Sequence, residues 1–263
     1  MSDGRVVSDD RAGNDDWAVS DDRAVSEVLG YALIFAIILV SITVVSVSGV
    51  GSLQTARDAE QLNNAERAFG VLADNTEDIY KRDAPSRATE LSIGPAQLFT
   101  GTNTTIEIRD GGTTLREFTV TPLVFRTGED NEIVYEAGAV FRTRRDAGRI
   151  VRPPPHHWGE NRRILTIVAT LARNTQSVAG TDVVARMKAR RKAIELDGST
   201  SISDPRVYVA SQRADLWKRY LDERAGIDGD CTEVSDTEIE CDIVGGGPNL
   251  LVTVHEIEMR LEQ

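Results

Sequence analysis

Val28-Leu-Gly-Tyr-Ala-Leu-Ile-Phe-Ala-Ile-Ile-Leu-Val-Ser-Ile-Thr-Val-Val-Ser-Val47 is twenty residues of nearly unbroken apolar side chain, and its reading decides the fold. No charge stands between Glu27 and Arg57. As a helix rising about 1.5 Å per residue, the run matches the roughly 30 Å hydrocarbon core of a bilayer. A secretory leader has a shorter apolar region, about 7 to 15 residues, behind a basic stretch and ahead of a small-residue cleavage site. This run is longer, although Ser46-Val-Ser-Gly-Val-Gly51 offers small residues for cleavage near position 50. Arg11 and Arg23 before the run balance Arg57 and Arg67 after it, so the positive-inside rule leaves its orientation open.

Working outward, residues 1–24 are different material: seven Asp and three Arg, with Val-Ser-Asp-Asp-Arg-Ala written twice, at 7–12 and 19–24. Low hydrophobicity and high charge predict disorder there. On the other side, Leu62, Ala65, Phe69, Leu72, Thr76 and Ile79 fall at alternating spacings of three and four, a single seam on a polar helix. No proline interrupts 25–82 and Asp83-Ala-Pro-Ser86 supplies a stop, so one helix is predicted, with Gly49 and Gly51 as places where it would kink. The seam is short for a coiled coil, which favours packing on the chain's own globular part. The segments expected are an acidic leader at 1–24, a transmembrane helix at 25–53, its amphipathic continuation at 54–84 and a β-rich domain at 85–263.

From Thr89 the pattern changes to short β-type runs. Thr105-Ile-Glu-Ile-Arg109 and Thr114-Leu-Arg-Glu-Phe-Thr-Val120 flank Asp110-Gly-Gly112, a hairpin whose turn accepts positive φ. Further strands are predicted at 123–126, 133–135, 139–144, 149–152, 164–171, 183–187, 207–210, 239–244 and 250–261. The last alternates Ile257, Met259 and Leu261 against Glu256, Glu258 and Arg260. One interruption is helical: 211–224 sets Ala214, Trp217 and Leu221 on a stripe, with Gly226 beyond it as a stop. The fold class expected is α+β: a long N-terminal helix, then a mainly antiparallel β domain with one short helix.

The 263 residues include 30 Lys+Arg and 42 Asp+Glu, a formal net charge of −12, which argues against nonspecific binding to nucleic acid. Only Lys81, Lys188, Lys192 and Lys218 are lysines, and an acidic, arginine-rich balance is the composition that concentrated salt favours, that of a halophile. Cys231 and Cys241, the only cysteines, enclose nine residues. A disulfide there would remove roughly 2–3 kcal/mol of denatured-state entropy and imply an oxidising, external compartment; two free thiols are the alternative. No phosphate loop, dinucleotide fingerprint, Gly-x-Ser-x-Gly or His-Glu-x-x-His occurs, so no catalytic residue and no cofactor is assigned. Pro153-Pro-Pro-His-His-Trp158 reads as a proline-stiffened exposed loop and a candidate contact site through His156, His157 and Trp158. A metal would need one of these histidines joined by Glu160, which no helical or strand spacing supports, and no metal is expected. Two basic runs, Arg142 to Arg152 and Arg186 to Lys192, would each put cations on one strand face: a basic patch if the strands adjoin, a solvated face balanced by Asp and Glu by default. Asn103-Thr-Thr105, just before the hairpin, is an N-glycosylation sequon.

Asp22-Arg-Ala-Val-Ser-Glu-Val-Leu-Gly-Tyr-Ala-Leu-Ile-Phe-Ala36 resembles the N-terminus of archaeal type IV pilins and pilin-like proteins. There a charged residue and a small residue precede a Val-Ser-x-Val-x-Gly start and a long apolar helix. The resemblance implies that Ala24 ends the leader and Val25 begins the mature chain, cut on the cytoplasmic side by a prepilin-type peptidase. It also implies other pilin-like subunits and the pilus assembly machinery as partners besides the lipid bilayer. Looser likeness runs through Leu62-Asn-Asn-Ala-Glu-Arg-Ala-Phe69, Val134-Tyr-Glu-Ala-Gly-Ala-Val-Phe-Arg142 and Arg152-Pro-Pro-Pro155, which are similar to an uncharacterised haloarchaeal pilin-like group that supplies no activity. Glu27 would be the third mature residue, where many archaeal pilins have proline and bacterial ones carry glutamate at the fifth. Its carboxylate would pair with its own or a neighbour's α-amino group and set register in a filament, or it suits the headgroup level and the helix dipole. The globular part exceeds that of a typical major pilin, which suggests a minor pilin or pseudopilin.

The expected function is therefore that of a single-pass cell-surface subunit of a type IV pilus-like or pseudopilin assembly, structural and not an enzyme, with its C-terminal domain outside the cell membrane. The alternatives are a monomeric surface-binding module on a plain anchor and, behind it, a secreted enzyme.

Overall fold

The seam at 62–79 and the alternation beyond 89 both take shape in the computed structural model, which describes residues 18–262 apart from 129, 146, 160–162, 173–175, 181–182, 198–201, 225–230 and 244–249. The chain forms two units, residues 1–56 and 57–263. Helix α1 (Ala18–Lys81) contributes to each. It is helical from Ala18, so the disorder expected over 1–24 does not extend to the last seven of those residues: no glycine or proline stands between Ala18 and Leu29 to stop the helix. The first copy of the repeated hexamer lies outside the described residues. Gly49 and Gly51 do not interrupt α1, since about 1 kcal/mol per glycine is small beside the long helix-forming stretches on both sides.

In the second unit the elements after α1 are β1 (Ser86–Ser92), β2 (Ala96–Thr100), β3 (Thr104–Asp110), β4 (Thr113–Val120), β5 (Leu123–Thr127), β6 (Asn131–Glu136), β7 (Ala139–Arg144) and β8 (Ala147–Arg152). There follow β9 (His157–Trp158), β10 (Arg163–Leu171), β11 (Ser177–Gly180), β12 (Val184–Asp197), β13 (Pro205–Ala210), α2 (Ala214–Arg224), β14 (Thr232–Ser235), β15 (Glu238–Asp242) and β16 (Leu250–Glu262). They make three sheets: sheet I in the order β1-β12-β16-β10-β9, sheet II in the order β11-β2-β5-β6-β7-β8, and sheet III in the order β14-β15-β13-β3-β4. Among the described residues the strands pair antiparallel except β10 with β16, and Pro95 and Gly180 add an isolated parallel bridge. The α+β class holds, with the β part mostly antiparallel.

All six seam residues are buried, Ala65, Phe69, Leu72, Thr76 and Ile79 with no exposed surface. Leu62, Ala65, Phe69 and Leu72 of the seam pack in one cluster with Leu98, Phe125, Ile133, Tyr135 and Val140 of sheet II and Met187 and Met259 of sheet I, and Ile79 in another with Val168, Ala189 and Ile257 of sheet I. The opposite face of sheet II supplies Val124, Val134, Ala139 and Phe141 to a second core, shared with Ile106, Val207 and Val209 of sheet III, Leu165 and Ile167 of β10, and α2. Covered on both faces, the middle of sheet II reads as apolar runs where a half-exposed strand would alternate.

Phe69→Ala, measured by denaturant unfolding of the full chain in detergent, is expected to cost about 3–5 kcal/mol. Val71→Ala, on the exposed side of the same helix, is expected to change stability by less than about 0.5 kcal/mol.

Candidate functional site

Between Ser26 and Gly49 the helix carries one charged residue, Glu27, and every residue is exposed. Fourteen of the 24 are large apolar side chains, from Val28 to Val47. Burying each fully is worth about 1.5–3 kcal/mol, so their joint exposure to water is unfavourable by something on the order of 20 kcal/mol. The span is long and apolar enough to cross a membrane. Its hydroxyls are partly satisfied from within, Ser41 Oγ donating to the Ile37 carbonyl at 2.7 Å and Thr43 Oγ1 to that of Leu39 at 2.8 Å. Ala24 and Val25 lie in α1, but their side chains fall outside what the structure describes.

The second unit contains a buried polar hub that sequence reasoning missed. Glu136 ends β6 with no exposed surface. Arg213 Nε donates to its Oε2 at 2.6 Å, while Ser211 Oγ and Trp217 Nε1 donate to its Oε1 at 2.7 and 2.8 Å. Ser211 Oγ also accepts from the Arg213 amide at the entry to α2. Three donors, two on Oε1 and one on Oε2, replace water at the buried carboxylate, and one of them carries the counter-charge, the condition under which a buried charge is tolerated. The two-residue turn after Glu136 has both φ angles positive, Ala137 at 49° and Gly138 at 86°, the geometry that a tight hairpin requires. A side chain at Gly138 would meet Pro155 Cδ at 2.7 Å.

Pro155 leads into the stretch expected to be an exposed contact loop, and here the structure differs. The His156 ring stands 5.6 Å from Trp158, 5.8 Å from Tyr220 and 6.4 Å from Trp217, and its Nδ1 is covered and, among the described residues, without a hydrogen-bond partner. Desolvation pushes its pKa down to about 3, so the imidazole is neutral. Trp158 is half-buried and donates Nε1 to Tyr220 Oη at 3.1 Å; of the three, only His157 is exposed. The prolines fold the chain onto the β6–β7 turn and turn His156 inward. The cavity beside it measures about 10 Å³, at the lower limit for a single water molecule. Glu160, the carboxylate weighed as a metal partner, lies outside the described residues.

The basic runs are drawn into ion pairs. Arg142 and Arg149 both reach Glu66 of α1 at 2.8 Å, and Arg152 reaches Glu77 at 2.6 Å and also pairs with Asp74, so the β7–β8 hairpin is clasped to the helix above the seam. On sheet I, Arg186 pairs with Glu90, Lys188 with Glu262, and Arg190 and Arg260 with Glu258. Both are the balanced faces of the default expectation. Partial burial works to raise the Glu66 pKa, but the bonds and charges of Arg142 and Arg149 outweigh it and hold it below the usual carboxylate range. Glu77 is lowered chiefly by the bond from Lys81, against partial burial, with Arg152 adding to it. Cys231 and Cys241 form a disulfide across the base of the β14–β15 hairpin, both buried. Asn103 is exposed in the loop between β2 and β3.

An apolar helix of membrane-spanning length attached to a predominantly antiparallel β unit defines the class of protein. The chain belongs to a family of unknown function, DUF7289, whose family model matches residues 23–260. Neither the curated proteins nor the solved structures contain a match to it.

Replacing Arg213 with Met leaves the Glu136 carboxylate buried without its counter-charge and is expected to cost about 3–5 kcal/mol in denaturant unfolding. The double variant Glu136→Gln/Arg213→Met should recover part of that loss. Because Glu66 and Glu77 have folded-state pKa values below the unfolded ones, their stabilisation is present above about pH 4.3, the unperturbed value, and is lost as pH falls through the lower folded values. Unfolding midpoints taken downward through that range should fall, and should fall less steeply in Glu66→Gln/Glu77→Gln.

Proposed function

We propose that this protein is a membrane-anchored, cell-surface subunit of a type IV pilus-like or pseudopilin assembly, and that assembly is its activity. The observation that carries the reading is the exposed span Ser26–Gly49 on a helix that goes on, from Leu62, to bury a single seam in the domain. A stripe suffices to hold a domain on a helix; a span that is apolar all round asks for lipid or other helices. Two further features support it. The family match begins at Arg23, two residues before the proposed cut between Ala24 and Val25, and leaves residues 1–22, most of the proposed leader, outside. The disulfide suits an oxidising compartment for the domain.

In the proposed mechanism a prepilin-type peptidase removes the leader, and the apolar helix then moves sideways out of lipid into a bundle of like helices. Since it leaves one apolar medium for another, association depends on close packing at small residues such as Gly30, Ala32 and Ala36 and on paired polar groups. Glu27 supplies a charge at the membrane edge, and Tyr31 an amphipathic ring one turn further in.

The expected mature N-terminus, read by mass spectrometry of protein from membranes, is Val25. An intact leader would leave a plain anchor, and a start near residue 50 a secreted domain. Cysteine crosslinking along 26–49 should give helix-to-helix adducts in wild type and markedly fewer in Glu27→Leu, with membrane insertion unchanged; equal adducts would remove the pairing role from Glu27.

A further inference from the structure

The sequon at Asn103 belongs neither to the buried seam nor to the Glu136 hub, yet the structure presents it as a site for chemistry. Asn103-Thr104-Thr105 is the one Asn-x-Ser/Thr triplet of the chain. It straddles a boundary: Asn103 lies in the loop, and Thr104 opens β3. Thr104 has no exposed surface and anchors the triplet in the domain, while Asn103 is exposed and Thr105 is half-buried. Along β3 the side chains alternate, Thr104, Ile106 and Ile108 buried with Thr105 half-buried between them, so Thr105 lies on the outer side of the strand. The acceptor amide of Asn103 and the Thr105 hydroxyl that a glycan transferase requires thus both lie outside the buried core. Asn103 Oδ1 accepts a hydrogen bond from Thr121 Oγ1 at 3.1 Å, which orients the amide through its oxygen. Among the described residues none accepts a bond from its Nδ2.

We infer that Asn103 is an N-glycosylation site, modified by an oligosaccharide carried on a lipid phosphate. The Nδ2 of Asn103 attacks the anomeric carbon of the donor glycan. The N–C bond forms as the bond from that carbon to a phosphate oxygen breaks, the phosphate leaves with the electron pair, and Nδ2 gives up one proton to a base of the membrane transferase. The inference rests on the external placement of the domain proposed above. The glycan would stand at the end of sheet III where β3 and β4 close on Thr104 and Val120, away from the Ser26–Gly49 span along the sequence.

Peptide mapping by mass spectrometry of full-length protein, purified from the membranes of the cells that make it, tests this. The peptide containing Asn103 is expected to carry a glycan mass that is lost in Asn103→Gln and Thr105→Ala and kept in Thr105→Ser, which preserves the sequon. A bare Asn103 in the wild-type protein overturns the inference, even where a variant fails to accumulate. The N-terminal peptide of the same sample reports separately on assembly. A Val25 start with bare Asn103 sinks the glycan alone, whereas an intact leader with a modified Asn103 sinks the assembly reading and leaves the glycan.

Discussion

Phe69, Leu72, Thr76 and Ile79 have no contact with solvent, and much of the second unit can be understood as the means of achieving that. A helix offers one stripe, and covering it from two directions takes two sheets. The β12 side of sheet I is amphipathic, with Ala185, Met187 and Ala189 facing inward and Arg186, Lys188 and Arg190 outward, whereas β10 is buried from Leu165 to Thr170 and reaches the second core as well. Sheet II is apolar on both faces and cannot end the stack. Its far side needs a third layer, which sheet III and α2 provide. The layer count thus follows from the apolar composition of 123–141.

Three layers in so short a chain crowd the place where β6 turns into β7, and the hub lies there. Glu136 is held by donors from Ser211, Arg213 and Trp217, more than seventy residues away in sequence, so the carboxylate acts as a staple between sheet II and α2. A hydrophobic replacement of the whole group would serve stability as well or better, by the usual energetics of buried ions. What the ionic version adds is directionality: donors from the entry and first turn of α2 bond to both oxygens in defined geometry. Gly138 has a matching role in steric terms, since Pro155 occupies the volume that any side chain there would need.

The amino-acid pattern revealed the two units unequally. Spacing alone exposed the seam, and length with composition exposed the apolar span, because both depend on local periodicity. The hairpin of β3 and β4 was equally plain from Asp110-Gly-Gly112. By contrast β1, Ser86–Ser92, was hidden because an edge strand buries only Thr89 and Leu91 and otherwise reads as polar loop. The pattern at 183–187 predicts a strand that stops there, whereas β12 runs to Asp197 through a bulge between Arg191 and Ala193, because cations that pair across strands look in sequence like a solvated run. The hub was invisible for a different reason: Glu136 and Arg213 have no mutual signal at a separation of 77 residues. Prolines misled at His156, where stiffness served to bend the chain inward.

In sheet I the strand that arrives last in chain order, β16, occupies the centre, with β12 on one side and β10 on the other. A ribosome delivering this chain from its N-terminus would release α1 and fifteen strands before the one that joins the two halves of that sheet. Until residues 250–262 emerge, β10 and β12 each present a bare edge, and Met187 lacks Met259 as a neighbour in the core. Open edges of that kind invite pairing with other chains. Contacts so distant in sequence make folding slow and late. A chain truncated before residue 250 would keep its apolar helix but lack the central strand of sheet I, leaving β10 and β12 each with an unpaired edge.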